Sequence, residues 1–388
     1  MKEITKIIHR KNTKIKNVNS YIKPIHSFST VYFKNYKKLR KYEKLNKITY
    51  GTHGNPNEIE LKRVISITEK GKYCILNTSG IQSIFLCYLA LLKHKDKLLI
   101  PDYLYKPNKN IINFFKSKLK IKIIKYKYNF KYKTFIKKIK NKNIKMAFLE
   151  FPGSITFEIQ KIKDFTKFCK KKKIISVIDS SYFANIEFKP LKRKFDIDIQ
   201  ALTKFQSGNN DILMGSITTN NKKIYKKIKK TNLLFGNNIN GNDCKLILRS
   251  ITETKYRYIK SEKKAKKIMK YIKNNKNIKF IIYPKNNKKD KKILKNNKIK
   301  HCAGIFTIVF KKKIKFKHIK KIINKFKIFK LGYSWGGKTS LIMTYKKLLK
   351  KRKKYKKYKN LNILRIYIGM ENTKDLKKDI KQALNKFN

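Results

Sequence analysis

Negative charge is what this chain has least of: its 388 residues hold 22 Asp and Glu against 102 Lys and Arg, a formal net charge of +80. Such a balance normally points to nucleic acid. Here the lysines run along the whole length and come with a heavy load of Asn and Ile, the residues an A+T-rich coding bias favours. The reading is drift of surface Arg, Glu and Gln toward Lys and Asn, and no specific nucleic-acid partner is expected. The densest run, Lys350 to Lys359, reads as an exposed loop or helix face, because a block of like charges stays solvated. Weak, salt-sensitive attraction to polyanions is its expected side effect.

Cysteine is also scarce and badly placed for cross-linking. Cys74, Cys87, Cys169, Cys244 and Cys302 are far apart, odd in number and form no CxxC pair. That excludes a disulfide framework and a zinc site, and it fits a reducing compartment. The six histidines have no metal-ligand spacing, so no metal is expected. No charge-free apolar run reaches membrane-spanning length. Met1 to Ser20 is basic but lacks the apolar core of a secretory signal. A soluble, cytoplasmic protein with no membrane partner is expected.

What is present is a regular alternation. Short apolar runs at 73–76, 97–100, 121–124, 146–149, 174–178, 197–200 and 213–217 read as strands separated by helix-sized intervals. That pattern predicts a mostly parallel sheet covered by helices. After a lysine-rich helical stretch from about Thr252, further strands are predicted at 280–283, 305–310 and 364–368, which read as a smaller α/β unit. The segment before Tyr50 has little periodicity and reads as an extended arm. The length suits two domains, and the expected divisions are an arm over 1–54, a large domain over 55–250 and a small C-terminal domain over 251–388.

Two of these runs end on chemistry. Ile174 to Asp179 ends on a carboxylate, and Ile197 to Lys204 ends on an amine just before the Gly208-Asn209-Asn210-Asp211 turn. In a parallel α/β sheet the carboxyl ends of strands face the crevice where ligands bind. An amine and a carboxylate there suit pyridoxal phosphate, the lysine binding its aldehyde and the aspartate its ring nitrogen. Alone, the pair is weak: an Asp after a strand is more often a turn or cap residue, and a Lys in this chain is more often solvated.

Four segments in one order carry the reading further: Phe148-Leu149-Glu150-Phe151-Pro152-Gly153-Ser154-Ile155-Thr156, Ala201-Leu202-Thr203-Lys204, Gly332-Tyr333-Ser334-Trp335-Gly336-Gly337, and Arg365-Ile366-Tyr367-Ile368-Gly369-Met370-Glu371-Asn372. Together they resemble the cystathionine β-lyase branch of the Cys/Met-metabolism pyridoxal-phosphate enzymes, from about Ser29 to the C-terminus. The resemblance implies the type I fold of the aspartate aminotransferases, with a large cofactor domain and a small C-terminal α/β domain. It implies pyridoxal 5'-phosphate as cofactor and a sulfur amino acid such as cystathionine as substrate. The implied reaction is β-elimination, with γ-elimination, γ-replacement or cysteine desulfhydration as alternatives. A basic nucleic-acid-binding protein that has lost its enzymatic role is the alternative from another class. A homotetramer built as a dimer of dimers is also implied.

The resemblance assigns roles residue by residue. Lys204 becomes the cofactor lysine and general base, and Asp179 the partner of the pyridine nitrogen. Tyr105 becomes the aromatic stacked on the ring. The amides of Gly80 and Ile81, in Ser79-Gly80-Ile81-Gln82, and the Thr203 hydroxyl become phosphate ligands. Ser334 and Arg365 become the holders of the substrate carboxylate, a planar task arginine performs and lysine cannot. Trp335, the only tryptophan, becomes a wall of the substrate pocket. Tyr50 becomes a phosphate contact for a neighbouring subunit. The family pattern there is Tyr-x-Arg, whereas this chain has Tyr50-Gly51-Thr52-His53, which removes one strong bond to phosphate. Ser180 stands where the family usually has Asn, and Gly208-Asn209-Asn210-Asp211 where it usually has Gly-His-Ser-Asp.

Overall fold

The computed structural model describes residues 3–8, 24–45, 47–128 and 143–385. Seven strands form the first sheet: β1 (Tyr73–Asn77), β2 (Lys97–Pro101), β3 (Lys122–Tyr126), β4 (Met146–Glu150), β5 (Ile175–Asp179), β6 (Ile197–Ala201) and β7 (Gly215–Thr219). Their order is β1-β7-β6-β5-β4-β2-β3. Neighbours from β6 to β3 run parallel, and β7 lies antiparallel between β1 and β6. The second sheet has β8 (Ile278–Ile282), β9 (Ile305–Phe310), β10 (Lys330–Leu331), β11 (Leu341–Thr344) and β12 (Ile363–Tyr367), in the order β10-β11-β12-β9-β8.

Every strand read from sequence is present, shifted by at most two residues. β10 and β11 were not read. β10 is two exposed residues long, too short for a period-2 pattern to register.

Successive side chains of a strand face opposite sides of its sheet, and the core divides accordingly. Leu99, Leu149 and Ile178 join one apolar cluster with the buried strands of the second sheet. Leu98, Ile100, Phe148, Val177, Ile197 and Ile199 join a separate cluster on the other face. Each fully buried side chain of this size contributes about 1.5–3 kcal/mol. Helices follow the same logic. In Ile162–Lys171 the buried Ile162, Phe165, Phe168 and Cys169 recur at helical spacing while lysines face out.

Two expectations are corrected. The segment before Tyr50 contains helices, Glu3–Ile8 and Tyr36–Lys44. The second buries no residue and starts where Asn35 accepts a hydrogen bond from the Lys38 amide, a local cap that apolar periodicity does not reveal. The basic run is not wholly exposed either. It forms two short 3-10 turns, and Arg352 between them is only 2 % exposed and donates from Nη2 to the Ser154 carbonyl at 2.9 Å. All five cysteines are buried and free. Among the described residues, no helix is long and apolar enough to cross a membrane.

Beneath β6 lies a buried polar network. The Ser180 hydroxyl donates to Asp198 at 2.8 Å, and the Gln200 amide donates to Asn185 at 2.6 Å. Asn185 in turn donates to Glu69 at 2.9 Å. Ser180 therefore fills the place of the family's Asn with a partner of its own. Burial pushes the Glu69 carboxyl up to about 7, against hydrogen bonds from Asn185 and Ser216 and the charge of Lys189. Burial also raises Asp198 well above the usual carboxylate range. A carboxyl raised in this way stabilises the fold fully below its unfolded pKa, and that contribution is lost as pH rises through the folded value. Glu69→Gln keeps an acceptor and cannot ionise. Relative to the parent it is expected to gain up to about 3 kcal/mol between about pH 5 and about pH 8, measured as thermal unfolding at both pH values. A difference that stays flat would refute the assignment.

Candidate active site

The carboxyl ends of β2, β4, β5 and β6 point to one edge of the sheet, so the residues just beyond them share a crevice. β1 ends at the same edge, and Ser79 starts the helix Gly80–Leu91 there, accepting from the Gln82 amide. The first amides of a helix have no intrahelical acceptor, which leaves Gly80 and Ile81 with N–H groups at the positive end of a helix dipole. Gly80 is required here: a Cβ on it would stand 2.7 Å from the Ala201 Cβ at the end of β6. Thr203 follows two residues after Ala201, and its hydroxyl is engaged with the Met214 backbone, at 3.3 Å to the oxygen and 3.0 Å to the nitrogen.

Lys204 is three residues past the end of β6, in a turn and not on the strand. Its amine donates to Ser334 Oγ at 3.0 Å and lies 5.3 Å from the centre of the Trp335 ring. Ser334 and Trp335 come from the loop between β10 and β11, so this contact joins the two sheets. Gly336 makes it possible: its φ is +97°, and a Cβ on it would stand 2.8 Å from the Lys204 carbonyl carbon. Burial, then the charge of Arg365, lowers the Lys204 amine to about 8, while Asp179 opposes the shift.

Asp179 ends β5 opposite Glu150, the last residue of β4. Its Oδ1 accepts from the Ser181 amide at 3.0 Å and the Ser181 hydroxyl at 2.7 Å. Burial raises its carboxyl, and Ser181 and Lys204 hold it back. Tyr105 heads the helix Lys106–Lys118, its amide donating to Glu150 Oε2 at 2.7 Å. Burial, then the charges of Asp179 and Glu150, raises its half-exposed phenol.

Arg365, central in β12 and 5 % exposed, closes the pocket from the second sheet. Nη2 donates to the carbonyls of Gly332, Tyr333 and Ser334 at 3.2, 2.6 and 3.2 Å. Among the described residues, Nε is buried with no partner. A buried cation without its counter-charge is costly, on the order of 3–5 kcal/mol, and its open donors define a place for an anion.

The structure therefore brings Lys204, Ser334, Trp335, Arg365, Asp179, Tyr105, Gly80, Ile81 and Thr203 to one crevice. Tyr50 stands apart, 49 % exposed and bridged through its backbone to Thr30. In the adjoining turn Gly51–His53, the His53 ring Nδ1 bonds the Thr49 hydroxyl at 2.9 Å. Sequence reasoning missed Glu150, which anchors Tyr105, and Tyr345, whose ring faces Arg365 at 5.7 Å. A carboxylate in register with Asp179 was the available signal for the first. The second follows β11, itself unread. Among the described residues, no cluster of three or more His, Cys, Asp or Glu could hold a metal ion.

A family model described as Cys/Met metabolism PLP-dependent enzyme matches residues 4–385. An L-alanine/L-glutamate racemase of Wolbachia pipientis is 26 % identical over 93 % of this chain and 91 % of its own. A cystathionine beta-lyase of Bordetella avium is 24 % identical over 87 % and 84 %. In fold, the chain resembles the cystathionine gamma synthase of Xanthomonas oryzae solved with cystathionine, at a TM-score of 0.87 and 18 % identity over 99 % and 98 % of the two chains.

Only a neutral amine attacks an aldehyde, so the lowered pKa of Lys204 has a direct readout. Uptake of pyridoxal phosphate by the cofactor-free protein, followed by visible absorbance, is expected to reach half its limiting rate at pH about 8. Arg365→Met removes a charge that favours the neutral amine and is expected to move that midpoint upward. A midpoint in the ordinary lysine range, or one Arg365→Met leaves in place, would contradict the electrostatics described here.

Proposed function

The chain belongs to the Cys/Met metabolism PLP-dependent enzymes, and from that premise we propose that it is a cystathionine β-lyase, converting L-cystathionine and one water to homocysteine, pyruvate and ammonia. The 3.0 Å bond between Lys204 and Ser334 carries the reading, because it joins the amine of one sheet to the carboxylate-binding segment of the other. The residues fit the cofactor. A depressed lysine, a part-buried carboxylate fixed by Ser181, and a helix start that a Cβ would block make up its cradle.

Pyridoxal phosphate, held by Lys204, would supply an electron sink conjugated to the substrate Cα. The Gly80 and Ile81 amides and the Thr203 hydroxyl would hold its phosphate, Asp179 would pair with its ring nitrogen, and Tyr105 would cover a face of the ring. Arg365 binds the α-carboxylate through the donors it does not spend on the 332–334 carbonyls. Once the substrate amine has taken its place on the cofactor, Lys204 is a free amine, neutral in a substantial fraction near pH 8, and it takes the Cα proton. The Cβ–S electron pair leaves with sulfur, and Lys204 can return the proton to the departing thiolate. Trp335 keeps water from the amine. Tyr50 serves the phosphate of a second copy, within a homotetramer in the cytoplasm. The exposed Leu213, Leu234 and Phe235 give such an assembly apolar surface to cover.

A second reading has one specific observation behind it, the Wolbachia racemase that matches 93 % of the chain. Proton removal at Cα by Lys204 is common to both reactions, and racemisation differs in returning the proton to the other face. Purified protein with L-cystathionine is expected to accumulate pyruvate and not 2-oxobutyrate, the product of γ-elimination. Lys204→Ala is expected to lower that rate by roughly 10³-fold or more. Pyruvate formation that survives Lys204→Ala would sink the assignment. D-alanine from L-alanine without pyruvate from cystathionine would replace it with the racemase.

A further inference from the structure

β11 and β12 pair antiparallel with Met343 opposite Arg365. Residues two apart on a strand share a face, and diagonal neighbours across a pair come within reach of aromatic side chains. Tyr345, two residues past Met343, is therefore delivered to the face of the sheet that carries Arg365. The contact is made: the Arg365 Cζ lies 5.7 Å from the centre of the Tyr345 ring. Three carbonyls hold the guanidinium, all through Nη2. A planar ion fastened at one nitrogen can still turn about that end, and the carbonyls alone do not fix where Nε points.

We infer that Tyr345 is a positioning residue for the carboxylate site: its ring lies against the guanidinium, fixes the plane in which the unpaired donor is presented, and keeps water from one face. The inference rests on the reading of Arg365 as the substrate-carboxylate ligand. An aromatic face attracts a guanidinium, more strongly where water is excluded. A flat ion can stack on it, whereas an ammonium is a point charge with no plane to align. Tyr345 thus gives a physical reason for arginine at this position in a chain where lysine is otherwise the common cation. The contact needs the ring and not the hydroxyl.

The test uses holoenzyme and two readouts: steady-state kinetics with L-cystathionine, and calorimetric titration with propionate, a carboxylate without the reacting amine. Tyr345→Ala is expected to raise KM and the propionate Kd together by about tenfold, with kcat changed much less. Tyr345→Phe should restore both. In an Arg365→Lys background, Tyr345→Ala should cost nothing further, because the plane it orients is gone. Unchanged propionate binding in Tyr345→Ala, or an equal loss in the Arg365→Lys background, would overturn the inference. If Arg365→Lys alone leaves propionate binding and KM unchanged, the reading of Arg365 fails, and the role of Tyr345 falls with it.

Discussion

Gly80 and Gly336 press on the Ala201–Phe205 turn from different elements, and neither has room for a Cβ. One brings the start of the helix Gly80–Leu91 onto the end of β6. The other brings the loop after β10 onto the Lys204 backbone. The rest of the site depends on this double approach. The amine can reach Ser334 only because the loop is that close, and the first-turn amides face the same crevice only because the helix is. Packing of this kind is stiff, so the geometry of the amine is set by backbone contact and not by the reach of a long side chain.

Charge is arranged against the composition. With 22 acidic residues among 388, the surface is where acids are cheapest to keep. Several instead sit inside: Glu69, Glu150, Glu158, Asp198 and Glu262 are all buried. They accept hydrogen bonds from amides, hydroxyls and an imidazole, and replacing any of them with lysine would bury an ammonium among donors. The surface could drift toward lysine, and these positions could not. The same contrast holds at Lys204, one basic residue among 102, set apart by burial and by Arg365.

Much of this was legible in the residues. Strands β1 to β9 and β12 are short apolar runs and were read within two residues. Asp179 and Lys204 were placed by lying at or just past strand ends, and Ser334 and Arg365 by their motifs. What escaped has physical reasons. The helix Tyr36–Lys44 buries nothing, so no apolar period marks it. Arg352 lies in a run of like charges and turns inward for the Ser154 carbonyl, a partner distant in sequence. Tyr345 acts through a strand pairing that involves the unread β11. The reach of Tyr50 was inferred by resemblance and concerns a second copy of the chain.

Trp335 has an optical consequence. It is the only tryptophan, and its ring lies 5.3 Å from the Lys204 amine and 5.8 Å from the Phe205 ring. All indole emission from this protein therefore originates at one point, beside the amine, in the loop whose contact with Lys204 joins the two sheets. The 23 tyrosines emit at shorter wavelength and can be left unexcited. A change of charge or polarity in the crevice is written into that single signal, without a label and without a turnover.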